Sequence, residues 1–250
     1  MRYEGNLYTM PKAKYDDIYQ DIKKKIETGT YPYAELLPSE NTLITVYNSS
    51  RNTVRRALAG LIEEGYIQAI HGKGVRVIYQ KIDRAPFALG GIESFQESAR
   101  RNQFQVVTKV IQFSFVTVDE PLAKESGFSV GDEVYYIQRV RRLNGKPLIL
   151  DTNVFLRSAV PGLSPDIAER SIYAYLEQKL GIQITTSKRI ITVEHATEQD
   201  QQLLDLDGYN CLAVVSSQTF NSDGVMFEYT QSRHQPDYFS FYSTATRKKS

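Results

Sequence analysis

The chain has 250 residues, 41% of them hydrophobic, which is enough for two domains with sizeable cores. Its formal net charge is only +1, so any affinity for nucleic acid must come from the placement of charge rather than from its total. No apolar run is long enough to span a bilayer and none near the N-terminus resembles a signal peptide, so we expect a cytoplasmic protein without membrane contact. One cysteine and three scattered histidines exclude an intramolecular disulfide and give no metal-ligand spacing, so no cofactor is expected.

Residues 1–12 lack periodicity and are predicted to be an N-terminal arm. The first helix is predicted from residue 14 to about residue 28, because Ile18, Ile22 and Ile26 recur every fourth residue and Gly29 follows.

Two more helices are predicted between residues 37 and 64. Ser39 and Ser50 each precede an apolar periodic segment, and a serine hydroxyl can cap the free N–H groups of a helix. The apolar face of the first helix would contain Leu43, Ile44, Val46 and Tyr47. That of the second helix, residues 51–64, would contain Val54, Ala57, Leu58 and Leu61, with Gly65 as its stop.

A β-hairpin is predicted next, with strands at 66–70 and 75–79 and a tip of His71, Gly72, Lys73 and Gly74. Helix, tight turn, basic helix and hairpin in this order predict a winged helix-turn-helix over residues 13–79, a fold that places its recognition helix in a DNA major groove. Arg51 and Arg55 lie in the first turns of that helix, where bases and phosphates are contacted. Alternatively, the basic residues of the second helix form an ordinary solvated helix face, and the glycine-containing tip is an ordinary hairpin turn.

Residues 80–88 are charged, contain a proline and are predicted to be an interdomain linker. The remaining segment, 89–247, predicts an α+β domain built on a largely antiparallel sheet. Its clearest hairpin signal is Asn144-Gly145 between two β-prone runs. The predicted strands are 106–118, 134–143, 147–155, 184–194, 212–220, 225–233 and 239–246, and the predicted helices are 120–126, 171–180 and about 197–204.

One strand of this domain suggests a ligand. Arg139 and Arg141 are two residues apart and share a face, so they repel unless an anion or a carboxylate lies between them. The start of a short helix near residues 90–95, and Ser171 at another helix start, would offer N–H groups to an anion. Asp151, Glu228 and His234 could bind hydroxyls, so the set suits a sugar phosphate. Alternatively, the arginines pair with acidic surface residues.

The runs LPSE, SRNTVRRAL and EEGYIQAIHGKG resemble the N-terminal domain of GntR-type bacterial transcription regulators. Asn41 departs from the arginine that touches DNA at this position in many relatives, which affects that contact and part of the operator preference. The resemblance implies double-stranded operator DNA as a partner and, together with the glycine of the hairpin tip, gives the DNA-binding set Ser50, Arg51, Asn52, Thr53, Arg55, His71, Gly72, Lys73 and Gly74.

The segments IQRVRRLNGKPLILD, RSIYAYLE and FEYTQSRH resemble the UTRA effector domain, whose fold is related to chorismate lyase. The resemblance implies phosphate contacts from Ser94, Phe95, Arg139, Arg141 and Ser171. It implies sugar contacts from Asp151, Tyr173, Glu228 and His234. Amino-sugar-binding relatives tend to have glutamate in place of Asp151 and tyrosine in place of His234, which argues against an amino sugar.

The runs YTQSRH, ILD and LLDLDGY are similar to the trehalose operon repressors of Gram-positive bacteria. This resemblance implies a repressor of a trehalose uptake and utilisation operon that trehalose 6-phosphate releases from DNA. Because one short recognition helix reads few bases, a homodimer on a palindromic operator is expected. The alternatives are a repressor responding to another sugar phosphate such as an amino-sugar phosphate, an enzyme of chorismate lyase-like fold, and an architectural DNA-binding protein. The sequence has no nucleophile–base constellation, so no catalytic residue and no enzyme activity is expected.

Overall fold

The computed structural model describes residues 14–80, 87–88, 92, 95–101 and 104–242. These residues belong to two compact units, one containing residues 14–80 and the other containing residues 87–242 of the described chain. Each unit has its own hydrophobic clusters.

The first unit is three helices followed by a β-hairpin. Its elements are α1 (Lys14–Glu27), α2 (Glu40–Val46), α3 (Arg51–Glu63), β1 (Ile67–Ile70) and β2 (Gly74–Val77). Ser39 and Ser50 cap α2 and α3, as predicted, because each hydroxyl accepts a hydrogen bond from the backbone N–H three residues on. Gly65, whose positive φ of 77° suits glycine, follows the end of α3. The described unit is therefore a winged helix-turn-helix, in which β1 and β2 form the wing.

The core of the first unit lies between the three helices and the wing. All three isoleucines predicted for α1 are buried, as are the four apolar residues predicted for α3. Val46 is the exception, because its side chain is 62% exposed. The prediction of a buried Val46 was wrong, since Leu43 and Tyr47 are four residues apart and define the inner face, whereas Val46 lies off that stripe at the end of α2.

The second unit consists of a large sheet with short helices. Its strands are β3 (Phe87–Ala88), β4 (Val106–Thr117), β5 (Glu133–Leu143), β6 (Lys146–Leu156), β7 (Ile184–His195), β8 (Cys211–Asn221), β9 (Met226–His234) and β10 (Phe241–Tyr242). Its helices are α4 (Phe95–Arg101), α5 (Glu120–Ser126), α6 (Pro165–Glu169), α7 (Ile172–Gln178) and α8 (Glu198–Leu203), with a 3₁₀ turn at Pro236–Tyr238.

Six strands form one sheet in the order β4-β5-β6-β9-β8-β7, and every neighbouring pair is antiparallel. The hairpin β5–β6 turns at Asn144-Gly145, where both residues have the positive φ that such turns need. The centre of the sheet joins this hairpin to the hairpin β8–β9 through the pair β6–β9. The sheet confirms the predicted α+β architecture.

The two faces of the sheet carry different helices. On one face α6 and α7 pack on β5 and β6 through a cluster that includes Tyr135, Phe155, Ile172 and Leu176. On the other face α5 and α8 cover separate apolar clusters. Thr197 and Asp200 form the predicted capping box at the start of α8. The polar site described below lies on the face covered by α6 and α7.

Three details differ from the sequence prediction. Helix α6 was not predicted, because five residues beginning with Pro165 are too few for a periodic signal. The short strand β3 lies inside the segment predicted as linker and pairs in parallel with β10. The last strand was predicted over 239–246, but β10 begins at Phe241, because Phe239 ends the preceding 3₁₀ turn. Residues beyond 242 lie outside the described residues.

Candidate DNA interface and effector site

The start of α3 is organised by Ser50. Its hydroxyl accepts a hydrogen bond from the N–H of Thr53 at 3.2 Å and lies 2.8 Å from the Thr53 hydroxyl. The Thr53 side chain is half-buried, whereas Asn52 is exposed. A capped helix start with exposed polar residues can donate to phosphate oxygens.

Two exposed arginines on α3 are held by a carboxylate on α2. Arg55 Nε lies 3.0 Å from both oxygens of Glu40, and Arg51 Nε lies 3.2 Å from Glu40 Oε1. Arg51 also donates to Asn41 Oδ1 at 3.0 Å. The side chains of Arg51 and Arg55 remain 57% and 61% exposed, so both guanidinium groups are available to DNA in a defined arrangement. Asn41 therefore belongs to this same polar cluster.

The wing tip is exposed along its whole length. His71, Gly72, Lys73 and Gly74 are all solvent-accessible, and the N–H of Lys73 closes the turn by donating to Ile70 O at 3.1 Å. Gly72 and Gly74 have φ values of 72° and 114°, which side-chain-bearing residues rarely adopt. The tip thus carries the flexible, positively charged side chain of Lys73 on a stretch of backbone that can approach a phosphate closely.

In the second unit the strand register brings the predicted effector residues to one face. Arg139 pairs with Asp151, which in turn pairs with Ser232. Arg141 and His234 both lie opposite Ile149, and Glu228 lies opposite Phe155. Directly paired residues in an antiparallel sheet point to the same side. The following residues therefore share a face: Arg139, Arg141, Asp151, Asn153, Glu228, Thr230, Ser232 and His234.

A buried carboxylate lies between the two arginines. Arg141 Nε donates to Asp151 Oδ2 at 2.5 Å, and Arg139 Nη2 lies 3.6 Å from the same oxygen. The Ser232 hydroxyl donates to the other oxygen of Asp151 at 2.7 Å. Burial alone would raise the pKa of Asp151, but the attraction of the two arginines and these hydrogen bonds outweighs it and lowers the pKa.

Asp151 therefore holds the arginines in the described structure. The sugar contact that the family resemblance implies for Asp151 stays a prediction. The alternative, that the arginines pair with acidic residues, agrees with this contact except that the partner, Asp151, is buried and not on the surface, since it is only 2% exposed. Burial and the charge of Arg141 lower the pKa of Arg139 to about 9, so this guanidinium still carries its charge at neutral pH.

The two arginines also contact the helices above the sheet. Arg139 Nη1 donates to Ala168 O at 3.0 Å, and the Arg141 guanidinium lies 4.1 Å from the centre of the Phe95 ring. Gln96, next to Phe95, donates to the carbonyl oxygen of Arg170 at 2.7 Å. The start of α4 and the loop before α7 thus meet beside the arginines.

One predicted phosphate contact, Ser171, belongs to this corner of the unit. Ser171 caps α7, where its hydroxyl accepts from the N–H of Ala174 at 3.2 Å. Ser94 lies outside the described residues.

The predicted sugar-facing residues Tyr173 and Glu228 are bonded to each other. Tyr173 Oη donates to Glu228 Oε2 at 2.7 Å, and Thr230 donates to Glu228 Oε1 at 2.8 Å. Burial raises the pKa of Glu228 despite these hydrogen bonds, and burial together with Glu228 raises the pKa of Tyr173. Because the one hydroxyl proton of Tyr173 is donated to Glu228, the pair offers acceptor oxygens to the hydroxyl groups of a ligand.

His234 lies at the end of β9, with its ring 5.1 Å from the ring of Phe239. Burial lowers its pKa to about 4, against the opposing effect of Asp151. The imidazole is therefore neutral at physiological pH and offers one donor and one acceptor.

Sequence reasoning missed several polar residues of this face. Asn153 accepts from Arg139 Nε at 3.0 Å and donates to Thr230 at 2.7 Å, so it joins the arginine corner to the Glu228 corner. Ser232 binds Asp151, and Arg189 reaches the face from β7 through its pairing with Ser217. Alternation along β6 and β9 was the available signal, since Asn153 is two residues from Asp151 and Thr230 is two residues from Glu228.

The charge on this face favours an anion. Three arginines, at 139, 141 and 189, share the face with two buried carboxylates, Asp151 and Glu228. Because its pKa is raised, Glu228 takes up a proton and loses its negative charge more readily than Asp151 does. These groups together give the face a net positive charge. Because the face is buried, its attraction for an anion is stronger than it would be in water.

A winged helix-turn-helix with exposed arginines, followed by a separate unit with a buried cationic polar face, defines a DNA-binding regulator with its own ligand-binding domain. Residues 14–77 match the family described as bacterial regulatory proteins, gntR family, and residues 101–240 match the UTRA domain. The chain belongs to the gntR family, in its group with a UTRA domain. No helix among the described residues is long and apolar enough to cross a membrane.

Three similar proteins illustrate this membership. The transcriptional regulator TreR of Bacillus subtilis is 39% identical, over 96% of this chain and 100% of its own. The structure of the effector binding domain of the B. subtilis trehalose repressor is 37% identical, with a TM-score of 0.52 over 57% of this chain and 99% of that one. The structure of YydK, a possible transcriptional regulator from B. subtilis, is 25% identical, with a TM-score of 0.78 over 94% of this chain and 100% of that one.

Proposed function

We propose that the chain is a homodimeric repressor of genes for trehalose uptake and utilisation, and that trehalose 6-phosphate releases it from its operator. The observation that carries the proposal is the buried face on which Arg139 and Arg141 lie beside the hydroxyl-binding pair Tyr173–Glu228. Planar guanidinium groups suit the oxygens of a phosphate, and the acceptor oxygens of Tyr173 and Glu228 suit the hydroxyl groups of a sugar. The similarity to the B. subtilis trehalose repressor supports the choice of sugar.

Within this proposal the phosphate binds at the corner between β5 and the start of α4. Its contacts are Ser94, Phe95, Arg139, Arg141 and Ser171. The sugar extends along the face toward β9 and contacts Asp151, Tyr173, Glu228 and His234. The phosphate shares the arginines with Asp151, so the charge that becomes available to it is less than two full positive charges.

The first unit supplies the DNA contacts of the proposal. Arg51 and Arg55 read bases or clamp phosphates from the start of α3, and Lys73 contacts the backbone from the wing. The DNA-binding set is completed by the cap residue Ser50, by Asn52 and Thr53 in the first turn of α3, and by the tip residues His71, Gly72 and Gly74. A homodimer formed through the second unit places two copies of α3 on a palindromic operator in the cytoplasm.

Release requires that the sugar phosphate bind one arrangement of the two units better than another, across the linker 80–88. A typical coupling of about 1–3 kcal/mol lowers operator affinity roughly 5- to 150-fold. We also propose that the second unit senses its ligand without converting it, since the relatives described above are transcriptional regulators.

The test measures operator binding by fluorescence anisotropy, with an operator selected from a random palindromic library. Trehalose 6-phosphate, free trehalose, glucosamine 6-phosphate and glucose 6-phosphate are each added at increasing concentration. Trehalose 6-phosphate should release the operator, whereas free trehalose should act much more weakly because it brings no charge to Arg139 and Arg141. Release by glucosamine 6-phosphate in preference to trehalose 6-phosphate would overturn the choice of sugar.

A pair of variants tests the site itself. Replacing Arg139 and Arg141 together by alanine should leave operator binding intact and abolish release. The matched control is Arg142→Ala, because Arg142 is exposed on the same strand and donates to Gly145 O within the hairpin. If the double variant still releases DNA at the concentration that suffices for the wild type, the phosphate is bound elsewhere.

A further inference from the structure

The polar face does not end at the residues assigned to the phosphate and the first sugar. It continues across β8 to β7, the edge strand on the far side of the sheet from β4. Thr230 on β9 pairs with Ser217 on β8, which pairs with Arg189 on β7. Ser217 and Arg189 are both half-buried, so they line the face without being sealed off from a ligand.

Arg189 lies close to the sugar-facing pair. Burial lowers the pKa of its guanidinium, and this effect is opposed by the negative potential of Tyr173 and Glu228. The Thr219 hydroxyl is buried next to the same two residues. The Tyr173–Glu228 pair therefore has the Arg139 corner on one side and Arg189 on the other.

The distance across the sheet limits what one ligand can touch. Four strand spacings of about 4.8 Å separate β5 from β7, so the backbones of Arg139 and Arg189 are roughly 19 Å apart. A single hexose ring with its phosphate reaches from β5 only to the Tyr173–Glu228 pair. A second ring attached to the first continues in the direction of Ser217 and Arg189.

We propose that Arg189 and Ser217 form a distal subsite that binds the second, unphosphorylated hexose ring of a disaccharide phosphate. The proposal rests on the function proposed above and adds a residue that selects the length of the ligand. A guanidinium has five N–H donors in a fixed plane, and it binds vicinal hydroxyl oxygens without needing a negative charge on the ligand. The Ser217 hydroxyl donates or accepts as the ring requires.

The subsite predicts selection by length rather than by charge. A monosaccharide phosphate bound at Arg139 and Arg141 does not reach Arg189, whereas a disaccharide phosphate brings the hydroxyls of its second ring to this guanidinium. The wild type should therefore bind trehalose 6-phosphate more tightly than glucose 6-phosphate, although both bring the same phosphate to Arg139 and Arg141.

The experiment compares the affinities of the full chain for these two ligands by isothermal titration calorimetry. Arg189→Met removes the donors and keeps an apolar stem of similar length. It should weaken trehalose 6-phosphate binding by about 10- to 100-fold, as expected for hydrogen bonds from a charged group, and leave glucose 6-phosphate within about twofold of the wild type. Arg189→Lys, which restores a cationic donor, should recover part of the loss.

Lys188→Met is the matched control, because Lys188 is the preceding residue on β7, is exposed, and lies 5.0 Å from the Phe220 ring. It should bind both ligands as the wild type does. Equal weakening of both ligands by Arg189→Met would overturn the subsite, because Arg189 would then only support Glu228 and Tyr173. Unchanged binding of both would overturn it as well. If the wild type binds neither sugar phosphate, the proposed function itself fails. The wild-type titrations alone show this, so the two failures are distinguishable.

Discussion

Asp151→Asn tests whether a buried carboxylate holds the two arginines of the effector site. The substitution keeps the shape of the side chain and removes its charge. Asn153 and the carbonyl oxygen of Ala168 still accept hydrogen bonds from Arg139, but Arg141 loses the negative charge of the partner that lies 2.5 Å from its Nε. The second unit is therefore left with two buried guanidinium groups and no carboxylate between them.

The expected cost follows from this geometry. Removing one partner of a buried ion pair destabilises a protein by about 3–5 kcal/mol, because an uncompensated charge stays buried. For a unit of roughly 150–250 residues each kcal/mol lowers the melting temperature by about 2–4 °C, so the expected decrease is about 6–20 °C. Inorganic phosphate should restore part of this loss, since it supplies the missing negative charge.

Differential scanning calorimetry of the full chain measures the effect on the transition of the second unit. The matched control is Glu133→Gln, which breaks the 3.2 Å pair with Arg157 at a site where the Glu133 side chain is 69% exposed. An exposed pair contributes at most about 1 kcal/mol. If Asp151→Asn destabilises the unit no more than this control does, the carboxylate is not what holds the arginines, and the charge balance described for the site is wrong.

Three further predictions concern the DNA interface and the pH response. Arg55→Ala should weaken operator binding by about 1–3 kcal/mol per half-site. Arg56→Ala should change it much less, because the Arg56 guanidinium packs 3.9 Å from the centre of the Tyr15 ring. Anisotropy titrations with operator DNA compare the two variants. Lys73→Ala should lower the slope of log affinity against log salt by about one unit, and an unchanged slope would remove the wing from the interface. Because His234 stays neutral down to a pKa of about 4 when folded, whereas the unfolded ring takes up a proton near pH 6.5, the stability of the second unit should fall by about 3 kcal/mol as the pH decreases through this window. His234→Gln should abolish this part of the pH dependence in calorimetry.

Local rules predicted most of the first unit. Its helices begin at serine caps and bury apolar residues at helical spacing, and both signals lie within a few residues of each other in the chain. Ser39 and Ser50 therefore located α2 and α3 to within a residue. Val46 was misassigned because it ends α2, where a short helix gives too few positions to define the direction of its buried stripe.

The effector face was only partly predictable, for a physical reason. Alternation shows which residues of one strand share a side, and it placed Arg139 and Arg141 together correctly. Which residues of other strands lie opposite them depends on register, and β6 pairs with β9 across about 80 residues of chain. The approach of Arg189 to Glu228 depends on such distant pairings and carries no local signal. The contact between Arg141 and Asp151 forms within the β5–β6 hairpin, whose register shifts between Arg141 and Arg142.

Both units prepare their arginines for an anion in the same way. In the first unit Glu40 holds Arg51 and Arg55 at an exposed surface, and in the second Asp151 holds a pair of arginines in a buried one. A carboxylate partner fixes the direction of a guanidinium in advance, which reduces the entropy lost on binding, but it also competes with the incoming phosphate. At the exposed site this competition is weak, because a surface ion pair contributes at most about 1 kcal/mol. When DNA is absent, water solvates these arginines in its place. At the buried site the carboxylate cannot leave, so an effector must bind in addition to Asp151 and must bring enough further contacts to offset its own desolvation. That requirement favours a ligand with both a phosphate and many hydroxyl groups over inorganic phosphate alone.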